Sequence, residues 1–234
     1  MNQTIENNFP HVILASGSPR RLDLLRQVGI EPEVEPSHVE EVITSTVPDQ
    51  VVMELSRQKA EDVAVRHAGE DVVVIGADTV VAFDGKILGK PKDEADAIRM
   101  ISSFQGKTHQ VYTGVTLVFC GKAGEKTGER WKTITFAEET DVHVCLMTEE
   151  QIQAYVKTGE PMDKAGAYGI QGYFAAWVSG ISGDYNNVVG LPVGRVYRTI
   201  VSLWREMWIH NADDSFVLQK LKQKTESNIR RIYD

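Results

Sequence analysis

The run Val72-Val73-Val74-Ile75-Gly76-Ala77 contains no polar side chain and stops at Asp78. A continuous apolar run of this kind reads as a central strand of a sheet, since a half-exposed strand would alternate. Around it the chain alternates strand-like and helix-like patterns, which points to an α/β protein. Val12-Ile13-Leu14 reads as a strand. It feeds Ala15-Ser16-Gly17-Ser18-Pro19-Arg20-Arg21 and then an amphipathic helical stretch over 22–28, with Ser18 as the N-cap, Pro19 at the first helical position and Gly29 beyond the end. Residues 33–37 read as a short extended piece, and 49–67 as a helix with Val52, Leu55, Ala60, Val63 and Ala64 near one face. Asp84-Gly85 predicts a hairpin turn, Asp93 a helix reaching Phe104, and 109–119 a strand that returns at 131–136. Gly121 to Gly128 looks like the tip between them. A further strand is expected over 140–147. Thr148 with Gln151 forms a capping box for a helix over 149–157, and Pro192 opens a last long helix over 193–209. Residues 1–210 read as one domain and 211–234 as a C-terminal extension.

Chemistry is carried by charges in unusual places. Arg20 and Arg21 fall in the first turn of a helix, where the dipole disfavours cations. Free N–H groups, the hydroxyls of Ser16 and Ser18 and two guanidinium groups outline a polyphosphate site, although a capped helix with two solvated arginines has the same local pattern. Asp78 follows the apolar run and reads as an acid at the C-terminal end of a buried strand, a usual place for ligand and metal groups in α/β folds, or as a turn residue. Lys90 is held beside Pro91. Lys59 lies near an apolar helical stripe that its stem could snorkel past. Glu40 and Glu41 sit together in a loop. Taken as a set, Arg20, Arg21, Lys59 and Lys90 could cover a triphosphate while Asp78 and a glutamate hold a divalent cation, which favours oxygen ligands together with substrate phosphates.

The formal net charge of −8 and the lack of a long basic stretch argue against nucleic acid as a partner. No run approaches the ~18 apolar residues of a membrane span, and no basic-then-apolar pattern marks a signal peptide. Cys120 and Cys145 are the only cysteines and are not spaced as a metal pair, which fits a reduced, cytoplasmic protein.

Seven segments in this order resemble the Maf family of nucleoside triphosphate pyrophosphatases. They are LASGSPRR at 14–21, LSRQKA at 55–60, IGADT at 75–79, LGKP at 88–91, HQVYTGV at 109–115, DKAGAYGIQG at 163–172 and GLP at 190–192. The resemblance runs from Val12 to about Leu203. It implies an elongated mixed sheet flanked by helices, with two lobes around a cleft, as in inosine triphosphate pyrophosphatases. It implies hydrolysis of a nucleoside triphosphate to the monophosphate and pyrophosphate with Mg²⁺ or Mn²⁺. Asp78 corresponds to the family's catalytic acid, as base or as metal ligand, with Lys59 and Lys90 beside it, Lys164 joining the phosphate grip, and Glu41 favoured over Glu40 as the second metal ligand. Thr79 and DKAGAYGIQG are similar to the branch acting on dTTP and UTP rather than to the branch preferring 7-methyl-GTP, with Arg20, Thr79 and Gln171 at the specificity positions. A glutamine amide offers one donor and one acceptor to the O4/N3–H edge that uracil and thymine share; cytosine presents the inverse pattern, which a flipped amide also suits. The resemblance also suggests a homodimer, which Trp204 and Trp208 could serve, although helical aromatics at that spacing usually pack inward. Two other classes remain open on sequence: a non-catalytic nucleotide-binding regulator of septum formation, and a nucleotidyltransferase.

Overall fold

The computed structural model describes residues 9–121 and 131–211. The expected Gly121–Gly128 tip, apart from Gly121, and the C-terminal extension from 212 onward lie outside the described residues. A mixed seven-stranded sheet forms the frame, in the order β2-β1-β3-β5-β6-β7 with β4 paired to β3. In chain order the strands are β1 (His11–Leu14), β2 (Glu33–Val34), β3 (Val72–Phe83), β4 (Lys86–Leu88), β5 (Thr108–Cys120), β6 (Trp131–Val144) and β7 (Val178–Ser182). The helices are α1 (Pro19–Gln27), α2 (Pro48–Ala64), α3 (Glu94–Phe104), α4 (Glu149–Val156), α5 (Tyr185–Val189) and α6 (Val193–Asn211). β1 runs parallel to both β2 and β3, while β3, β5, β6 and β7 pair antiparallel. This is the expected α/β architecture of a mixed sheet flanked by helices. Among the described residues no helix is long and apolar enough to cross a membrane.

β3 organises the two faces because its side chains alternate. Val73, Ile75, Ala77 and Val81 join the main core with Leu24 and Leu25 of α1, Phe104 of α3, and Val196 and Ile200 of α6. Val72 and Val74 face the other way, into a smaller core with Ala60, Val63 and Ala64 of α2. On that second face α2 lies against the sheet with no side chain in between at two points. A Cβ on Gly76 would stand 2.2 Å from the Ser56 carbonyl oxygen, and one on Gly114 would stand 2.1 Å from that of Val52. The buried hydroxyls of Ser56 and Thr116, 3.0 Å apart, tie helix to sheet at the same level.

Several local expectations hold. Asp84 and Gly85 both take positive φ, 51° and 70°, as the tight hairpin from β3 to β4 requires. Asp93 caps α3 by accepting from the Asp96 amide, and both hydrogen bonds of the Thr148–Gln151 box form. Trp204 packs against the main core. Other expectations are corrected. Ser18 has N-cap geometry, but its side chain makes no capping bond; its amide instead donates to Ser16 Oγ at 3.3 Å. Of the piece expected over 33–37, only Glu33–Val34 joins the sheet. The strands expected at 131–136 and 140–147 are one strand, Trp131–Val144, because its ladder with β5 continues unbroken through the polar stretch Glu138-Glu139. Asp78 is not at a strand end. It lies inside the twelve-residue β3, whose pairing with β5 runs past it on both sides.

The close approach of α2 predicts that Gly114→Ala costs about 3 kcal/mol of stability, the upper end for overpacking, because backbone rather than a mobile side chain must give way. A urea melt of the variant measures it.

Candidate active site

The cleft opens where β3 lacks a neighbour on one edge. β1 pairs with Val72 to Ile75 and stops at Leu14, while β4 begins pairing at Val81. The stretch 76–80 therefore has no strand beside it on that edge. This is also where the connection out of β1 turns away from β3, the switch point at which open α/β sheets bind ligands. A cavity of about 540 Å³ lies there, within the usual range of small-molecule sites. Its walls include Ser18, Arg20, Arg21, Lys59, Asp78, Thr79, Lys90, Lys164 and Gln171. Most of the residues singled out in the sequence thus meet in one cavity. Glu41 joins through Lys59, and Ser16 through Arg21.

Asp78 and Thr79 are consecutive and so face opposite sides of the sheet. Asp78 points toward α2. Lys59 Nζ lies 2.5 Å from its Oδ1 and 2.9 Å from Glu41 Oε1, so one ammonium bridges two carboxylates. Lys59 and Asp78 are both largely buried, at 17% and 16% side-chain exposure. Glu41 reaches this point because its loop is clipped to α2. The Val42 amide donates to Gln58 Oε1 at 2.9 Å, the Gln58 amide donates back to the Val42 carbonyl at 2.6 Å, and Thr44 binds Glu54 through both its amide and its hydroxyl. Glu40 is exposed, with no hydrogen-bond or ion-pair partner among the described residues.

Thr79 points toward the main core and meets Arg21. The Arg21 guanidinium donates to the Gly190 carbonyl at 2.9 Å, to Ser16 Oγ at 2.9 Å and to Thr79 Oγ1 at 3.1 Å. The Thr79 and Thr113 hydroxyls are 2.9 Å apart, which extends the chain of contacts into the sheet. None of these partners is anionic, and Arg21 forms no ion pair among the described residues. Burial pulls its pKa down, the charge of Asp78 opposes that shift, and the charge of Arg20 adds to it. A partly buried guanidinium has five donors. With neutral partners on only some of them, it presents a strong site for an anion.

The remaining cations stand on the rim. Arg20 and Lys90 are exposed and form no ion pair among the described residues. Lys164 donates to the Glu160 carbonyl and to Asp163 Oδ1, both at 2.7 Å. That bond holds the Asp163 carboxyl below its usual range, with a smaller contribution from Arg20. Gln171 is exposed at the edge of the cavity with no hydrogen bond to its amide among the described residues, so donor and acceptor are both available.

Sequence reasoning missed Thr113, the Gly190 carbonyl and Glu160, which also lines the cavity. The glycines of 166–172 and the GLP segment were the available signals, but neither says which side chain it serves. The unpaired Arg21 predicts that inorganic pyrophosphate stabilises the protein, by about 2.7 kcal/mol at a hundred times its Kd. In Arg21→Ala the pyrophosphate affinity falls at least about tenfold. Thermal shift against pyrophosphate concentration measures both.

Residues 11–203 match the family model described as Maf-like protein. The chain is 57% identical over 203 residues to a dTTP/UTP pyrophosphatase of Agathobacter rectalis, covering 82% of this chain and 97% of that one. It is 52% identical over 188 residues to a protein of the same name from Koribacter versatilis, covering 80% and 91%. A third, from Bacillus cytotoxicus, is 49% identical over 189 residues, covering 80% and 93%. Among solved structures, a nucleoside-triphosphatase / dITP/XTP pyrophosphatase from Mycobacterium abscessus aligns over 84% of this chain and 97% of that one at 12% identity, with a TM-score of 0.39. With a family match across nearly all the described residues and relatives about half identical along almost their full length, this chain belongs to the Maf family.

Proposed function

We propose that this protein hydrolyses nucleoside triphosphates, dTTP and UTP foremost, to the monophosphate and pyrophosphate. The observation that carries the reading is the pairing, in one cavity of about 540 Å³, of an anion-seeking Arg21 with the Asp78–Lys59–Glu41 cluster. Relatives 46–57% identical that are named dTTP/UTP pyrophosphatase support the same chemistry and the same bases.

In this reading Arg21, braced by Ser16, Thr79 and Gly190, holds the phosphate chain from the floor of the cleft. Arg20, Lys90 and Lys164 close on it from the rim, and Ser18 offers the N-terminus of α1. Together they offset the charge that builds on the departing pyrophosphate. Asp78 takes the proton of the water that attacks the α-phosphorus, and Lys59, 2.5 Å away, holds its carboxylate in place. The donor set also fits a divalent cation. Two carboxylates, Asp78 and Glu41, already converge on one positive charge, and Mg²⁺ is typically held by one or two carboxylates with substrate phosphates completing its shell. Such a cation offsets phosphate charge and lowers the pKa of a bound water. At the other end of the cavity the free Gln171 amide reads the O4/N3–H edge. The reading places the enzyme in the cytoplasm as a homodimer without nucleic-acid partners; both described cysteines are free thiols, in keeping with a reducing compartment.

A nucleotide panel with Mg²⁺ or Mn²⁺ tests the reading, with pyrophosphate release expected fastest from UTP and dTTP. Release of orthophosphate, or exchange of labelled pyrophosphate into triphosphate, would refute it. Asp78→Asn lowers kcat by about 10²–10⁴ with the melting temperature little changed. Gln171→Ala lowers kcat/KM for UTP about tenfold more than kcat/KM for ribose 5-triphosphate, which carries no base, the effect of one lost hydrogen bond.

A further inference from the structure

Glu160 opens a short 3₁₀ turn after α4 and projects its carboxylate into the wall of the cleft. Both of its oxygens are engaged. Tyr155 donates its hydroxyl to Oε1 at 3.0 Å, and the backbone amide of Tyr173 donates to Oε2 at 2.7 Å. Just before Tyr173 the chain makes a tight turn, in which the Gly172 amide bonds back to the Gly169 carbonyl at 3.2 Å. Gln171 is the third residue of that turn, and its neighbour Ile170 is buried in the main core. The turn lies directly on the side chains beneath it. A Cβ on Gly172 would stand 2.2 Å from Glu160 Oε2, and one on Gly169 would stand 2.8 Å from the Lys164 side chain. The Gln171 turn thus rests on Glu160 at one end and on Lys164 at the other, and Lys164 is itself held by the Glu160 carbonyl.

We propose that Glu160 is the positioning residue for the base-reading turn: its carboxylate anchors the Tyr173 amide and so sets where the Gln171 side chain stands in the cleft. This rests on the reading that Gln171 contacts the nucleobase. Tyr155, buried in the main core, fixes the carboxylate from behind; burial first, and then Glu160, raises the pKa of this phenol, so it remains a donor. The anchor is tertiary rather than local, because Glu160 and Tyr173 lie 13 residues apart and open separate 3₁₀ turns.

Four variants and two readouts test this. The readouts are the ratio of kcat/KM for UTP to that for ribose 5-triphosphate, which carries no base, and hydrogen exchange of residues 169–175. Glu160→Ala loses about tenfold in the ratio, the factor one hydrogen bond carries, chiefly through a higher KM for UTP, and exchange in 169–175 quickens. Gly172→Ala does the same while leaving Glu160 in the chain, because its new methyl group displaces only the flexible end of that side chain. Glu160→Gln restores the ratio, since its Oε1 still accepts from the Tyr173 amide and its NH₂ can donate to the Tyr155 oxygen. Gln171→Ala loses the ratio with exchange unchanged. Normal exchange or a normal ratio in Glu160→Ala overturns the proposal. A Gln variant as impaired as the Ala variant also overturns it, because charge would then act on the base directly. If Gln171→Ala keeps the ratio, the base reading itself fails, and exchange in Glu160→Ala and Gly172→Ala still decides whether Glu160 holds the turn.

Discussion

The site depends first on how closely α2 lies on the sheet. Backbone meets backbone where Gly76 and Gly114 leave no Cβ, and the Ser56 and Val52 carbonyls fill that space. Interiors are close-packed, so a helix seated this way has almost no freedom to slide or roll. Lys59 sits between Ser56 and Ala60 in sequence, and Asp78 lies two residues beyond Gly76 on the same face of β3. Seating the helix therefore brings the ammonium to the carboxylate. The same helix carries Gln58 and Glu54, which hold the loop that delivers Glu41. Two glycine-mediated contacts thus align three charged groups from three separated stretches of chain.

The second organising feature is the alternation of β3. Consecutive residues serve opposite faces: Asp78 belongs to the α2 side, and Thr79 to the side of α1 and Gly190. The gap between β1 and β4 lets a ligand reach both. Arg21 is then separated from the Asp78–Lys59 pair by the thickness of one strand. It stays close enough for the Asp78 charge to favour its ionised form, yet it is not neutralised in an ion pair. A direct salt bridge would have occupied its donors and dulled its pull on any incoming anion.

Much of this was legible in the sequence wherever the signal is local. Pro19, Asp93, the Thr148–Gln151 box and Asp84-Gly85 act within a few residues of themselves, and each behaves as expected. Readings failed where a distant partner decides. Asp78 looks like the end of a strand because it breaks an apolar run, but its charge is met by a lysine nineteen positions earlier in the chain, and the strand simply continues. Glu138 and Glu139 look like a break in β6, yet the ladder with β5 carries through them. Which of two adjacent arginines lies deep could not be read either. Neighbours on a helix point about 100° apart, and only the tertiary position of Gly190 makes Arg21 the inner one. The importance of Glu160 was hidden for the same reason, since nothing local links it to Tyr173.

The cleft is built from two kinds of part. Asp78 and Lys59 stand on a long strand and a helix pinned to it backbone to backbone, and Arg21 is held by the Gly190 carbonyl, whereas Gln171 stands on a four-residue turn lying on the Glu160 and Lys164 side chains. Mutational drift can remodel the turn by changing residues that have no part in seating α2 on the sheet. Descendants of such a chain can therefore reshape one wall of the cleft while its charged floor stays in place.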